Sequence, residues 1–260
     1  MEISNNTVLI TGGSSGIGLE LARQLLRRGN TVVVTSRDKT TLAVVEQSQP
    51  GLRTIVCDVT ELLSIEALKE KMLSDFPAVN VVINCAGVMR KINLHKQTSD
   101  LADVTKEIET NLKGTIWINQ AFLPILKSKP HAAIVNVSSG LAFVPMAIAP
   151  IYCATKAGIH AYTRSLRLQL KRSTVQVFEL APPGTDTPLF SGDFTKEDVG
   201  GVKPMSVETL VNIALAGFRK DRLEIRPGLS NTLKMASRLA PDFMLNQLGK
   251  SVDSMLDEYS

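Results

Sequence analysis

The sequence predicts an α/β protein built on a doubly wound parallel β-sheet with helices on both faces. Two observations point there. Over the first 180 residues, short β-branched runs alternate with longer amphipathic stretches, the rhythm of strand and crossover helix. Most of those runs are nearly continuous in Val and Ile, as in strands covered on both faces, and do not alternate between apolar and polar.

Strands are expected at TVLIT (7–11), TVVVTS (31–36), RTIVCD (53–58), VNVVIN (79–84), AAIVNVS (132–138) and VQVFEL (175–180). Between them GLELARQLLRRG, SIEALKEKMLSDF and IETNLKGTIWINQAFLPILKSK carry helical spacing. After residue 184 the rhythm breaks. Residues 188–205 are rich in turn-formers and read as a loop over a substrate, although a passive surface insertion has the same composition. VETLVNIALAGFRK is helical, DRLEIRPG offers a last strand, and 229–260 form an amphipathic helical tail interrupted by Pro241. No repeat or linker divides the chain, so 1–260 is expected to be one domain.

With 44% apolar and 21% charged residues the chain has material for a sizeable core. Its net charge of +4 is scattered, which argues against nucleic acid as a partner. No run reaches the roughly 18 apolar residues of a membrane span; LAFVPMAIAP is broken by Pro145 and Pro150. The N-terminus lacks the basic start and apolar stretch of a secretory signal. Cys57, Cys85 and Cys153 are far apart and without a C-x-x-C pair, so reduced thiols, a cytoplasmic location and no metal site are expected. His95, His131 and His160 lack metal spacing and read as surface or structural residues.

The first strand runs into TGGSSGIG (11–18) and then into a helix. A glycine turn there brings backbone N–H groups and the positive helix end against a pyrophosphate, the Rossmann arrangement. Gly12 makes the tight turn, Gly16 admits the phosphates, and Gly18 lets the helix sit close to the sheet. At the end of the second strand, where an acidic residue would bond the ribose 2′-hydroxyl of NAD, the chain has Ser36 and then Arg37. A guanidinium grips a 2′-phosphate that a carboxylate would repel. NADP(H) is therefore the expected cofactor and NAD(H) the second choice; a plain surface arginine is the competing reading of Arg37. Asp38 is expected to cap the next helix.

In IYCATKAGIHAYTRSLRLQL, Tyr152 and Lys156 stand one helical turn apart. Free tyrosine ionises near pH ~10, and bringing it toward ~7 takes about 4 kcal/mol. A neighbouring ammonium, helped by a positive nicotinamide ring, is of that order. A Tyr and a Lys that merely share a helix face are common, so the spacing alone carries little weight. The preceding SSG (138–140) offers two serines, and strand periodicity does not choose between them.

Taken together, TGGSSGIG, CDV (57–59), NCAG (84–87), Asn111, NVSS (136–139), YCATK (152–156) and PPGTDT (182–187) resemble the short-chain dehydrogenase/reductase family over nearly the whole chain. The T-G-x-x-x-G-x-G spacing is similar to its compact branch, and the SSGLAF, YCATK and PP run with the helical tail looks like its DltE-type oxidoreductases. The resemblance implies that the catalytic serine is Ser139, thirteen positions before Tyr152. It implies Tyr152 as proton donor or acceptor, and Lys156 as the group that lowers the phenol pKa and binds the nicotinamide ribose. Asn111 would hold a relay water; a structural amide in the helix is the alternative. Further implied contacts of the cofactor are Ser14, Ser15 and Ile17 in the glycine turn, Asp58 and Val59 at the adenine, and Asn84, Ala86 and Gly87 at the adjoining ribose. Pro183, Gly184, Thr185 and Thr187 would meet the carboxamide and phosphate end. Cys85 replaces a commoner asparagine at a position that mainly needs a small side chain.

The expected activity is hydride transfer between NADP(H) and a small or medium apolar carbonyl or alcohol, in a pocket walled by Leu141, Phe143, Met146, Leu189 and Phe190. A 3-oxoacyl-carrier-protein reductase is the rival enzyme, and an NADPH-binding sensor or scaffold without turnover the rival of another class. From the resemblance, a homodimer or homotetramer is expected, pairing through helices around 100–127 and 151–171.

Overall fold

The computed structural model describes residues 1–95, 100–191, 194–195, 198, 203–249 and 252–256. Of the expected substrate loop, 192–193, 196–197 and 199–202 lie outside the described residues, as do 250–251 and 257–260 of the tail.

The strands are β1 (Thr7–Thr11), β2 (Thr31–Ser36), β3 (Arg53–Val56), β4 (Val79–Asn84), β5 (Ala132–Val137), β6 (Val175–Leu180) and the short β7 (Glu224–Ile225). They form one parallel sheet in the order β3-β2-β1-β4-β5-β6-β7. β3 ends before the expected Asp58, because that residue's N–H is taken by Ser64 Oγ (2.9 Å) and its carboxylate by Thr60. β5 likewise stops one residue before the expected end.

Strand alternation divides the apolar residues between two cores. Val8, Ile10, Val135, Val137, Phe178 and Leu180 face one layer, where α1 (Gly16–Leu26), α2 (Lys39–Ser48) and α8 (Val207–Arg219) pack. Leu9, Val82, Ile134 and Val177 face the other, made by α3 (Leu62–Asp75), α5 (Gly114–Lys127) and α6 (Pro150–Gln169). Each fully buried Leu, Ile, Val or Phe contributes about 1.5–3 kcal/mol, which is why runs of Val and Ile suit a sheet covered on both sides.

Local chemistry sets the helix starts. Asp38 caps α2 by accepting the N–H groups of Thr40 (2.8 Å) and Thr41 (3.3 Å). Pro150 opens α6, its fixed φ already helical and its missing N–H needing no partner. Ser206 caps α8. The short α4 (Leu101–Val104) precedes the π-helical segment, α7 (Pro188–Ser191) borders the cleft, and α9 (Leu229–Leu239), α10 (Pro241–Gly249) and α11 (Asp253–Leu256) belong to the tail. The stretch expected as one helix from Ile108 begins instead with a π-helical segment, Ile108–Lys113, before α5.

The second core contains a polar knot. Asn84 Nδ2 donates to Asn119 Oδ1 (2.7 Å) and Asn136 Oδ1 (2.9 Å), Asn119 Nδ2 donates to Asn136 Oδ1 (3.1 Å), and Asn136 Nδ2 donates to Thr163 Oγ1 (3.0 Å). Asn84, Asn119, Asn136 and Thr163 are all buried, and they join β4, β5, α5 and α6. Replacing Asn136 by Leu takes an acceptor from Asn84 Nδ2, which keeps Asn119 Oδ1, and from Asn119 Nδ2, at about 1–3 kcal/mol for each unsatisfied group. Urea unfolding of Asn136→Leu is expected to show a midpoint lowered by about 2 kcal/mol or more of stability, with the slope unchanged.

Candidate active site

The carboxyl ends of the strands open into a cleft of about 780 Å³. It lies where the strand order reverses, with β2 on one side of β1 and β4 on the other, the position at which open parallel sheets bind ligands.

Its first wall is the turn between β1 and α1. Thr11 Oγ1 accepts the N–H groups of Cys85 (3.2 Å) and Ala86 (3.3 Å), drawing this turn onto the end of β4. Gly12 has φ +66°, and a methyl there would lie 2.6 Å from Ala86 Cα. At Gly18 a methyl would lie 2.3 Å from the Gly12 carbonyl oxygen. Ser14, Ser15, Gly16, Ile17 and Gly18 line the cleft. Ser15 is extended at the start of α1, makes no side-chain cap, and no acidic residue occupies the first turn. Bare backbone, open N–H groups and the absence of carboxylates fit the pyrophosphate of a dinucleotide.

At the end of β2, Thr35, Ser36 and Arg37 line the same cleft. Arg37 is exposed and makes no ion pair with a described residue. The carboxylate of Asp38 is occupied by Thr40 and Thr41, whose hydrogen bonds hold it below the ordinary aspartate value. Asp58, Val59, Ala86 and Gly87 also line the cleft, as do Pro183, Gly184, Thr185 and Thr187 beyond β6.

Two expected site residues lie outside the cleft lining. Asn84 turns inward to the asparagine knot. Asn111, fully buried in the π-helical segment, accepts the Val88 N–H (2.8 Å) and donates to the Val88 carbonyl (2.9 Å) and Thr155 Oγ1 (3.1 Å). It nevertheless stands close to Lys156: a methyl on Gly87 would lie 3.4 Å from Asn111 Oδ1 and 3.6 Å from Lys156 Nζ.

The two serines diverge. Ser138 donates to Glu179 Oε1 (2.5 Å), on the α6 side of the sheet. Ser139 continues to the cleft, accepts the Leu141 N–H (3.1 Å) and lines it together with Tyr152. Lys156 Nζ lies 5.5 Å from the Tyr152 ring centroid and donates to the Val137 carbonyl (3.0 Å). Burial lifts the phenol well above its ordinary pKa, and the Ser139 hydroxyl brings it only part of the way back. Burial brings the Lys156 ammonium itself down to about 8, with Cys85 opposing. Cys85, at the cleft beside this lysine, is pushed up to about 11 by burial and so holds its proton at neutral pH.

Leu141, Met146, Leu189 and Phe190 wall the remaining space as expected. Phe143 does not: it stacks edge-on against His160 (5.1 Å) beneath Lys234. Sequence reasoning missed Val88, Met89 and Thr110, and also Leu229, Leu233, Gln247 and Leu248 of the tail. Amphipathic spacing in 229–260 was their only signal, and it does not say what the apolar face covers.

A family model for short chain dehydrogenases matches residues 6–198. The chain is 41% identical to the uncharacterized oxidoreductase DltE of Bacillus subtilis, over 95% of this chain and 98% of that one. A short chain dehydrogenase from Burkholderia cenocepacia, solved in complex with NADP, superposes with a TM-score of 0.81 at 25% identity, covering 95% and 99% of the two chains. One from Sphingobium yanoikuyae, solved with NADPH, gives 0.76 at 29% identity over 91% and 96%. The glycine cradle, the reversed strand order and this likeness from end to end lead to one conclusion: the chain belongs to the short-chain dehydrogenase family and is an oxidoreductase.

Proposed function

We propose that the protein is an NADP(H)-dependent reductase of neutral, apolar carbonyl compounds, with Tyr152 as the proton donor. The observation that carries this reading is the meeting of Ser139, Tyr152 and Lys156 in a cleft continuous with the glycine cradle.

The cradle of Gly12 to Gly18 takes the pyrophosphate, Asp58 and Val59 flank the adenine, and Arg37 meets a 2′-phosphate. Ala86, Gly87 and the 183–187 segment enclose the rest, and Lys156 holds the ribose hydroxyls next to the nicotinamide. When bound, the nicotinamide supplies the hydride for reduction or accepts it for oxidation. The chain's own groups do the remainder. Ser139 donates a hydrogen bond to the carbonyl oxygen and orients it, and Tyr152 passes its proton to that oxygen as negative charge develops there. A phenol whose pKa is raised by burial remains protonated at neutral pH, as an acid must. Lys156 then stabilises the phenolate left behind. Asn111 keeps one lone pair of Oδ1 for a water that returns the proton from solvent.

The cofactor preference rests on Arg37, which is unpaired among described residues, and on Asp38, whose carboxylate is tied to its own helix. The substrate class rests on Leu141, Met146, Leu189, Phe190, Leu229 and Leu233 around the phenol's end of the cleft. Asp198, a carboxylate in the same lining, is paired with Lys91 at 2.7 Å.

Tyr152→Phe is expected to lose turnover by on the order of 100-fold or more while NADPH affinity, measured by fluorescence titration, stays within about twofold. Comparable turnover in the mutant would rule out the mechanism. Arg37→Ala should weaken NADPH by about tenfold or more, a loss of roughly 1.4 kcal/mol, and NADH little; equal weakening would sink the NADP(H) reading. In a panel of benzaldehyde, cyclohexanone, menadione and acetoacetyl-coenzyme A, NADPH oxidation is expected with the neutral members, and turnover confined to the thioester would favour the acyl-carrier reading.

A further inference from the structure

Four of the described residues lining the cleft carry a charged side chain: Arg37, Asp58, Lys156 and Asp198. Arg37 and Asp58 stand beyond β2 and β3, and Lys156 lies on α6 beside Tyr152. The reading above gives those three a part in holding the cofactor. It leaves Asp198 without one.

The neighbours of Asp198 place it at the substrate end. Its partner Lys91 follows Met89 by two residues, and Phe194 precedes Asp198 by four. Met89 and Phe194 pack in one apolar cluster with Met146, Ile148 and Tyr152. The segment that carries Lys91 is fastened to the same cluster, since the Ile92 N–H donates to the Ile148 carbonyl (2.9 Å).

The carboxylate is held through both oxygens. Lys91 Nζ donates to Oδ1 (2.7 Å) and the Thr195 N–H to Oδ2 (2.9 Å), while the Asp198 N–H donates to Thr195 Oγ1 (3.2 Å). Burial would raise this carboxyl, but the hydrogen bonds from Lys91 and Thr195 outweigh it and keep Asp198 below the ordinary aspartate value. The two charges differ in their surroundings. The Asp198 side chain is 1% exposed and belongs to the cleft lining, whereas Lys91 is 29% exposed and stands outside that lining. Water therefore screens the ammonium more than the carboxylate.

We propose that Asp198 is a specificity-determining residue of the substrate pocket: its fixed carboxylate turns anionic carbonyl compounds away, and Lys91 holds it in place. Apolar walls such as Leu141, Met146 and Leu189 disfavour charge of either sign. A carboxylate among them adds a sign to that selection, because an anion on the substrate meets like charge where little water intervenes.

The inference rests on the neutral-carbonyl reading above and deepens it. The probe is the neutral panel carbonyl that the wild type reduces fastest, set against its anionic counterpart. That counterpart is 4-carboxybenzaldehyde for benzaldehyde, 4-oxocyclohexanecarboxylate for cyclohexanone and 1,4-naphthoquinone-2-sulfonate for menadione. The readout is the ratio of kcat/KM, anionic over neutral, in which intrinsic reactivities cancel when variants are compared with wild type. Asp198→Asn keeps an acceptor for Lys91 and Thr195 and removes the charge, so its ratio is expected to rise about tenfold or more. Lys91→Met leaves the carboxylate without its counter-ion, and its ratio is expected to fall. A pocket that merely loosens would move both variants the same way. A wild-type ratio in Asp198→Asn, or two variants shifted in one direction, overturns the proposal. If Asp198→Asn does not fold, Lys91→Met decides, and a ratio that fails to fall overturns it. No reduction of any neutral panel member by the wild type overturns the reading beneath and this inference with it, whereas reduction with an unmoved ratio overturns the inference alone.

Discussion

The turn after β1 and the end of β4 touch backbone to backbone, with no room for a methyl between Gly12 and Ala86. Thr11 holds that contact through the N–H groups of Cys85 and Ala86. The contact exists because β1 has β2 on one side and β4 on the other, so the crossovers leave β1 and β4 toward opposite faces. The crevice left between those crossovers is the one the cleft occupies. The glycine cradle, Ala86 and Gly87 thus become one surface; Ser139 and the 182–187 segment reach it from the ends of β5 and β6, and Tyr152 and Lys156 from α6. A side chain at residue 12 would separate the two strand ends and spoil the cradle at once.

Inside the cleft, burial and the Ser139 hydroxyl act on Tyr152 in opposite senses, and burial prevails. The ammonium of Lys156 is close enough to matter, yet it donates to the Val137 carbonyl and lies over the ring face. It also bears its own desolvation, which brings it down to about 8. An ammonium so placed stands where it would balance negative charge on the phenol in the cleft.

Much of this was legible in the sequence. Val and Ile runs fix strands because only a doubly covered sheet can bury them, and four of the six expected strands have the boundaries read from the residues. The glycine turn was legible because its function is a backbone function, set by which residues lack Cβ. The orientation of polar side chains was not. Asn84 reads as a ligand contact from its neighbours in NCAG, but three amides on different elements close on one another first. The π-helical turn that sets Asn111 between Val88 and Thr155 leaves no periodic trace that distinguishes it from α-helix. The cleft wall from α9 depends on where the tail docks, which is a contact across most of the chain's length.

That docking traces back to the pair of serines. Ser138 lies on the face of β5 that also carries Asn136, and so it reaches Glu179 on β6, where His160 of α6 binds the same carboxylate at 2.8 Å. His160, Glu179 and Glu224 bring donor atoms within 4.8 Å of one another, a spacing that would suit a cation. Their charges already have partners: Glu179 takes Ser138 and His160, while Glu224 takes Lys234 and Arg226. The same Lys234 lies 5.1 Å from the Phe143 ring centre, and Phe143 lies against His160. α9 is thereby fastened to the 3₁₀ turn that follows Ser139, so closely that a methyl on Gly140 would lie 2.6 Å from Ser230 Oγ. Leu229 and Leu233 reach the cleft from that anchored helix. Ser139 is free to face the cleft because its neighbour is spent on the network that brings the tail, and with it the apolar wall, to the site.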